Sequence, residues 1–158
     1  MAPHQRYLVG LRLSQLEFRL VTYMGRLSGD SRDEQLQDSG PRTLNAGTKL
    51  YVGAPAERPS EALLNCVREI SKRSLSISAA YAFNMAVGDN PPSLSIGLHF
   101  DSKPNPQEVE QLFSQIGRKM KPLIAEKNFV DLLPLYPTNI LAIAVRDTVT
   151  PFYRRMVQ

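Results

Sequence analysis

The sequence predicts an α+β domain of the split βαβ, ferredoxin-like type. This is a two-layer sandwich with two helices on one face of a four-stranded antiparallel sheet, plus a short C-terminal helix. Three observations predict it. Leu75, Ile77, Ala79, Tyr81, Phe83 and Met85 alternate with mostly small or polar residues, the period of a strand. Leu94, Ile96, Leu98 and Phe100 alternate again after Gly88-Asp89-Asn90-Pro91-Pro92, whose glycine and asparagine accept positive φ, so the two runs form a hairpin. An amphipathic stripe of helical spacing flanks the hairpin on each side, giving the order strand, helix, strand, strand, helix, strand.

Taken in order, residues 1–45 read as a poorly defined N-terminal extension and linker, and residues 46–158 as the domain. Tyr7 to Met24 fits two periods: Leu11, Leu13, Leu16, Phe18 and Leu20 suit a strand, while Val9, Leu13, Leu16, Leu20 and Tyr23 suit a helix. Ser28 to Asn45 is polar, with too few apolar side chains to offset its ordering entropy, and reads as a linker. Thr48 to Val52 is the first strand, closed by Gly53 and Pro55. Ser60 caps a helix that buries Leu63, Leu64, Val67 and Ile70 and ends in Lys72 and Arg73, which suit its C-terminal dipole.

After the hairpin, Asn105-Pro106-Gln107-Glu108 opens a second helix, with Asn105 as cap, Pro106 at the first position and Glu108 placed to reach back to the cap. Val109, Leu112, Phe113, Ile116, Met120 and Leu123 line its buried face, and Pro122 ends or kinks its last turn. Phe129 to Leu133 is the fourth strand, stopped by Pro134 and Pro137. Thr138-Asn139 caps a short helix from Ile140 to Arg146, although Leu141, Ile143 and Val145 also alternate as a strand would. Tyr81, Phe83 and Phe100 are expected to face the helices. Ala80, Ala82 and Ala86 would then face the other way, where an extra helix, the tail or another subunit covers them.

Composition excludes several classes. The chain of 158 residues, 42% hydrophobic and 22% charged, suits one globular domain, and no run approaches the roughly 20 apolar residues of a membrane span. No secretory signal is recognisable, and the single Cys66 forms no internal disulfide, which suits a reducing cytoplasm. A net charge of +4 is modest, and Arg118-Lys119-Met120-Lys121 reads as the solvated face of a helix, so neither nucleic acid nor membrane is an expected partner.

No catalytic constellation is visible. His4 lies near the terminus, His99 stands alone on a strand, and Cys66 has no Cys or His at ligand spacing and reads as a small buried hydrophobe. Gly47-Thr48-Lys49 precedes a strand where a phosphate loop would precede a helix. Glu57 and Asp131 would act as a catalytic pair only if they converged around a pocket; the preferred reading has Glu57 helping to open the first helix electrostatically and Asp131 as a solvent-facing strand residue. No cofactor, metal or enzymatic activity is expected.

Gly47-Thr48-Lys49-Leu50-Tyr51-Val52-Gly53-Ala54-Pro55-Ala56-Glu57, Ala79-Ala80-Tyr81, the run Pro92 to Leu98, Val130-Asp131-Leu132-Leu133-Pro134-Leu135 and the terminal Pro151-Phe152-Tyr153-Arg154-Arg155 together resemble the C-terminal domain of the bacterial SseB proteins. That family is named for an enhanced serine sensitivity phenotype and carries no established catalytic chemistry. The resemblance covers roughly residues 46 to 156 and lacks the N-terminal domain that usually precedes it. It implies a non-catalytic cytoplasmic interaction or regulatory module with a protein partner or self-association. The alternative is a domain that senses an amino-acid-related metabolite as a dimer. Lys49, Tyr81, Phe152, Tyr153, Arg154 and Arg155 are the provisional contacts, and the terminal motif is the best candidate surface because aromatic and arginine side chains supply most interface energy. The terminal segment either docks on another protein or plugs its own core; both readings stand.

Overall fold

The computed structural model describes residues 9–12, 16–24, 37–44, 49–55, 57–87, 92–102, 104–124, 129–137 and 139–156. For residues up to 50, for Val87 and for Phe129 it describes the backbone alone. In chain order the elements are β1 (Val9–Arg12), β2 (Leu16–Met24), β3 (Gln37–Leu44), β4 (Lys49–Gly53), α1 (Glu61–Arg73), β5 (Ile77–Val87), β6 (Ser93–Phe100), α2 (Pro106–Met120), β7 (Phe129–Leu135), α3 (Ile140–Thr148) and β8 (Tyr153–Arg154). The strands form one sheet in the order β1-β4-β5-β6-β7-β2-β3, with β8 also paired to β5. The fold is α+β with a mixed sheet and three helices, because β6 and β7 run parallel while the other pairs are antiparallel.

This corrects the split βαβ expectation: β4, β5, β6 and β7 lie side by side in chain order instead of interleaving. Connection lengths account for it. β4 covers only the far half of β5, Leu50–Gly53 against Val87–Asn84, so the chain must advance about 24 Å along the sheet to begin β5 at Ile77. The 13-residue α1 rises about 20 Å in that direction, and β5 then runs back antiparallel to β4. The 15-residue α2, about 22 Å long, instead carries the chain back to the starting end of β6, so β7 pairs parallel from Leu94–Val130 to His99–Leu135.

The helix signals hold. Ser60 Oγ accepts from Leu63 N at 3.2 Å, Asn105 Oδ1 from Gln107 N at 2.9 Å and Asn139 Oδ1 from Leu141 N at 2.8 Å. The expected faces of α1 and α2 are buried, apart from the half-buried Leu112 and from Leu123, which lies in the 3₁₀ turn Lys121–Leu123 that Pro122 imposes and is exposed. Glu108 does not reach its cap; it accepts from Ser76 Oγ. Residues 140–146 are helical, extended to Thr148, which settles the helix-or-strand ambiguity there. β7 runs through Pro134 to Leu135, tolerating the proline because β2 pairs only with residues 129–132, so Pro134 sits on a free edge.

The sheet has a layer on each face. Ile77, Ala80, Ala82, Ile96, Leu98, Phe100, Val130 and Leu132 pack with α1 and α2. Val52, Ala79, Tyr81, Phe83, Met85, Leu133 and Leu135 pack with Leu141, Ala142 and Val145 of α3. Tyr81 and Phe83 therefore face α3, and Ala80 and Ala82 face α1 and α2, the reverse of the expectation. The cause is a bulge: Ile77 pairs with Phe100 but Ala79 pairs with His99, so Ser78 is extra and every later residue of β5 changes face. The exchange matches sizes across the ladder, since Tyr81 and Phe83 oppose Gly97 and Ser95 while Ala82 and Ala80 oppose Ile96 and Leu98.

The region read as extension and linker contributes strands. Leu16–Met24 takes the strand alternative and pairs with β7, and Gln37–Leu44 forms β3 on the outside of β2. A polar composition and Pro41 are tolerated there because β3 is an edge strand. The turn at 88–91 and His4 fall outside the described residues.

Gly97 lies between Phe83 and Leu135, and a Cβ added there would stand 2.6 Å from Leu135 Cδ1 and 3.0 Å from Phe83 Cε1. Gly97→Val is expected to destabilise the domain by about 2–3 kcal/mol through overpacking. Urea denaturation would show a lower midpoint at unchanged slope, and an unchanged midpoint would contradict the packing described.

Candidate functional site

The two end motifs, about a hundred residues apart, meet on one edge of β5. β4 ends with Gly53 opposite Asn84, and β8 takes the bare half of the same edge, with Tyr153 opposite Ala80 and Arg154 opposite Ala79. Phe152 N donates to Ala80 O at 2.9 Å and Arg155 N to Ser78 O at 2.8 Å. Phe152 and Tyr153 are half-buried against the α1 and α2 side of the core. The terminal segment thus docks on its own domain as an added strand.

Side chains fix it from both ends. Arg68 of α1 donates from Nε to Phe152 O at 3.0 Å, and its guanidinium carbon lies 5.6 Å from the centre of the Phe152 ring. Arg68 is oriented by Glu61 at 3.1 Å and Asn65 at 2.5 Å, and Glu61 also accepts from Arg58 at 2.5 Å. Those hydrogen bonds from Arg58 and Arg68 hold the Glu61 carboxyl below its usual range. At the other end Arg155 donates to Leu75 O and to Asp101 Oδ2, pinning the tail to the ends of β5 and β6. Arg154 is exposed between these two anchored points.

Of the six provisional contacts, Phe152, Tyr153, Arg154 and Arg155 come together on this edge. Lys49 does not: it stands at the far end of β4, in register with Arg12. Tyr81 does not either, because it is 3% exposed on the α3 face and offers no surface to a partner. Sequence reasoning missed Arg68 and Asp101. Neither lies on an apolar stripe or in a recognisable pattern, and their value comes from tertiary placement.

The other candidates are also placed. Asp131 is a correction: it is buried, not solvent-facing, and accepts from Ser93 Oγ at 2.9 Å. Glu57 is exposed in the segment joining β4 to α1; β4 and β7 are separated by two strands, about 14 Å, so the sheet does not pair Glu57 with Asp131. Cys66 is half-buried beside the α1 stripe, and burial pushes its thiol up against a smaller opposing pull from Lys119. Among the described residues no group of three or more His, Cys, Asp or Glu side chains is placed to hold a metal ion. Among them, too, no helix is long and apolar enough to cross a membrane.

His99 Nδ1 lies 2.9 Å from Ser78 Oγ, the bulge residue, which also contacts His99 O at 3.1 Å. Burial pushes the imidazole below its ordinary value of 6.5, with Asp101 pulling it up and Arg146 pushing it down. The neutral form is therefore favoured by folding. Its contribution is fully present above about pH 6.5 and is lost as the pH falls through the folded value. His99→Gln is expected to flatten the fall in Tm between pH 7 and pH 5 relative to the parent chain, and equal slopes would contradict this linkage.

Arg68→Ala removes a charged hydrogen bond and the ring contact from Phe152, worth about 1–2 kcal/mol to tail docking. Tryptic cleavage after Arg154 or Arg155 is expected to quicken on the order of tenfold, with the global Tm little changed. A cleavage rate equal to that of the parent chain would show that Arg68 does not hold the tail.

A family model described as the SseB protein C-terminal domain matches residues 44–155. Comparison with curated proteins and with solved structures returned no match. The matched region runs from the end of β3 to just past β8, covers well over half of the chain and takes in both motifs that meet on β5. The chain belongs to the SseB protein C-terminal domain family.

Proposed function

We propose that the chain is a non-catalytic interaction module of a bacterial cytoplasm that recruits a protein partner through the β5 edge and the strand docked on it. One observation carries this reading. The terminal segment is held by backbone pairing, by Arg68 and by Asp101, yet presents Arg154 outward. A fixed, exposed arginine beside half-buried aromatics is the composition of an interface anchor.

The test is affinity capture from the source cytoplasm with the parent chain and with Arg154→Glu, which alters an exposed side chain and leaves Phe152 and Tyr153 in the core. A partner retained by the parent chain at moderate salt should be lost from the variant. Identical capture by both chains would sink the proposal for this surface.

A second reading, sensing of an amino-acid-related metabolite as a dimer, has one observation behind it. Ser95 Oγ is fully buried without a hydrogen-bond partner, directly across the β6–β7 ladder from Asp131. An unsatisfied hydroxyl costs about 1–3 kcal/mol, which a polar ligand would relieve. Under the interaction reading, serine and related amino acids leave Tm unchanged; a concentration-dependent rise of several degrees would transfer the weight to the sensor.

A further inference from the structure

We infer that the terminal segment is exchangeable between two copies of this chain, the β8 of one protomer pairing with the β5 of its partner. The inference rests on the interaction-module reading and names the first partner of that edge as a second copy. The hydrogen bonds and ring contact that hold residues 152–155 reach positions far back in the chain: Arg68, Leu75, Ser78, Ala80 and Asp101. A tail arriving from a second protomer would meet the same carbonyls, the same guanidinium and the same carboxylate.

The covalent link to α3 is the short stretch Val149-Thr150-Pro151. Val149 is already extended, with φ −127° and ψ 140°. Thr150 precedes a proline and is biased away from helical geometry, and Pro151 has no N–H and so no ladder bond to break. Projecting the segment outward therefore needs no rewinding of α3. The closed and exchanged forms make equivalent contacts and differ mainly in the effective concentration of the tethered tail, of millimolar order for short linkers. Exchange is accordingly a property of concentrated or locally clustered chain.

The test uses full chains in which Cys66→Ser removes the native thiol. One chain carries Ala79→Cys and a second, of distinguishable mass, carries Arg154→Cys; these are direct partners in the β5–β8 register. Mixed at high concentration and oxidised, they should give a covalent heterodimer on a non-reducing gel. A third chain carrying both substitutions, oxidised at low concentration, should close within itself and then stay monomeric by light scattering where the parent chain rises towards dimer mass. Closure of the third chain without any heterodimer, and with the parent chain monomeric throughout, would overturn the exchange. Failure of the third chain to close would overturn the register on which it rests. A missing heterodimer with intact capture of a cytoplasmic partner removes the exchange alone. A heterodimer formed by the paired cysteine chains while the parent chain captures no cytoplasmic partner removes the wider reading instead.

Discussion

Everything in the domain takes its place from the pairing of β5, and above all from how its outer edge is divided. One edge is zipped to β6 along nearly its whole length. The other is shared by segments from opposite ends of the family region, β4 over 84–87 and β8 over 79–80. The division follows from α1. A helix that advances along the sheet makes β4 and β5 antiparallel, but it leaves the first half of β5 without a neighbour, and an unpaired ladder of N–H and C=O groups beside a core is costly. The chain answers with β8. The position of the tail is thus a consequence of the length of α1, and the two motifs meet because each solves half of one pairing problem.

The bulge at Ser78 has an equally wide reach. By adding one residue before Ala79 it sends Tyr81, Phe83 and Met85 towards α3 and leaves alanines under α1 and α2, where the helices can then approach the sheet against Ile96 and Leu98. Gly97 and Ser95 are small because the β5 aromatics already fill their side of the sheet. Ser78 also meets His99 through its hydroxyl, so the same residue that sets the facing of β5 sets the surroundings of the one described histidine. Asp101 connects this corner to the tail, since it both faces His99 electrostatically and holds Arg155.

Much of this was legible in the sequence. The caps at Ser60, Asn105 and Asn139, the stripes of α1 and α2 and the two alternating strands were readable because each depends on neighbours a few residues apart. What was not legible depends on distant geometry. A bulge leaves no mark in an alternating run, so Tyr81 looked available for a face it does not occupy. Parallel and antiparallel returns through a helix share one sequence pattern, so the order of β4 to β7 could not be told from a split βαβ. Pro134 and the polar stretch around Pro41 read as breaks because edge positions, where proline is harmless, are known only once neighbours are placed. At the candidate site the aromatic and arginine content of the tail was the usable signal, while Arg68 and Asp101 matter only because the fold brings them to it.

The N-terminal strands bear on which surface remains for association. The family match begins at residue 44, so β1 and β2 lie before it and β3 only touches it. β1 pairs with the outer edge of β4, and β2 with that of β7. Within the matched region those are the two outer edges of the four-strand run, and each would otherwise present a row of unpaired backbone groups. With β1 on β4 and β2 on residues 129–132 of β7, the outer edges of the sheet pass to β1 and β3, and β3 carries Pro41 in a polar sequence, which discourages pairing with another sheet. β8 carries the exposed Arg154 on the inner edge of β5 and lies beside α1, whose Arg68 holds Phe152. Proline and polar residues on an outermost strand are among the devices by which a sheet protein limits edge-to-edge aggregation, and on the inner edge of β5 the chain meets the same problem by pairing β8 there.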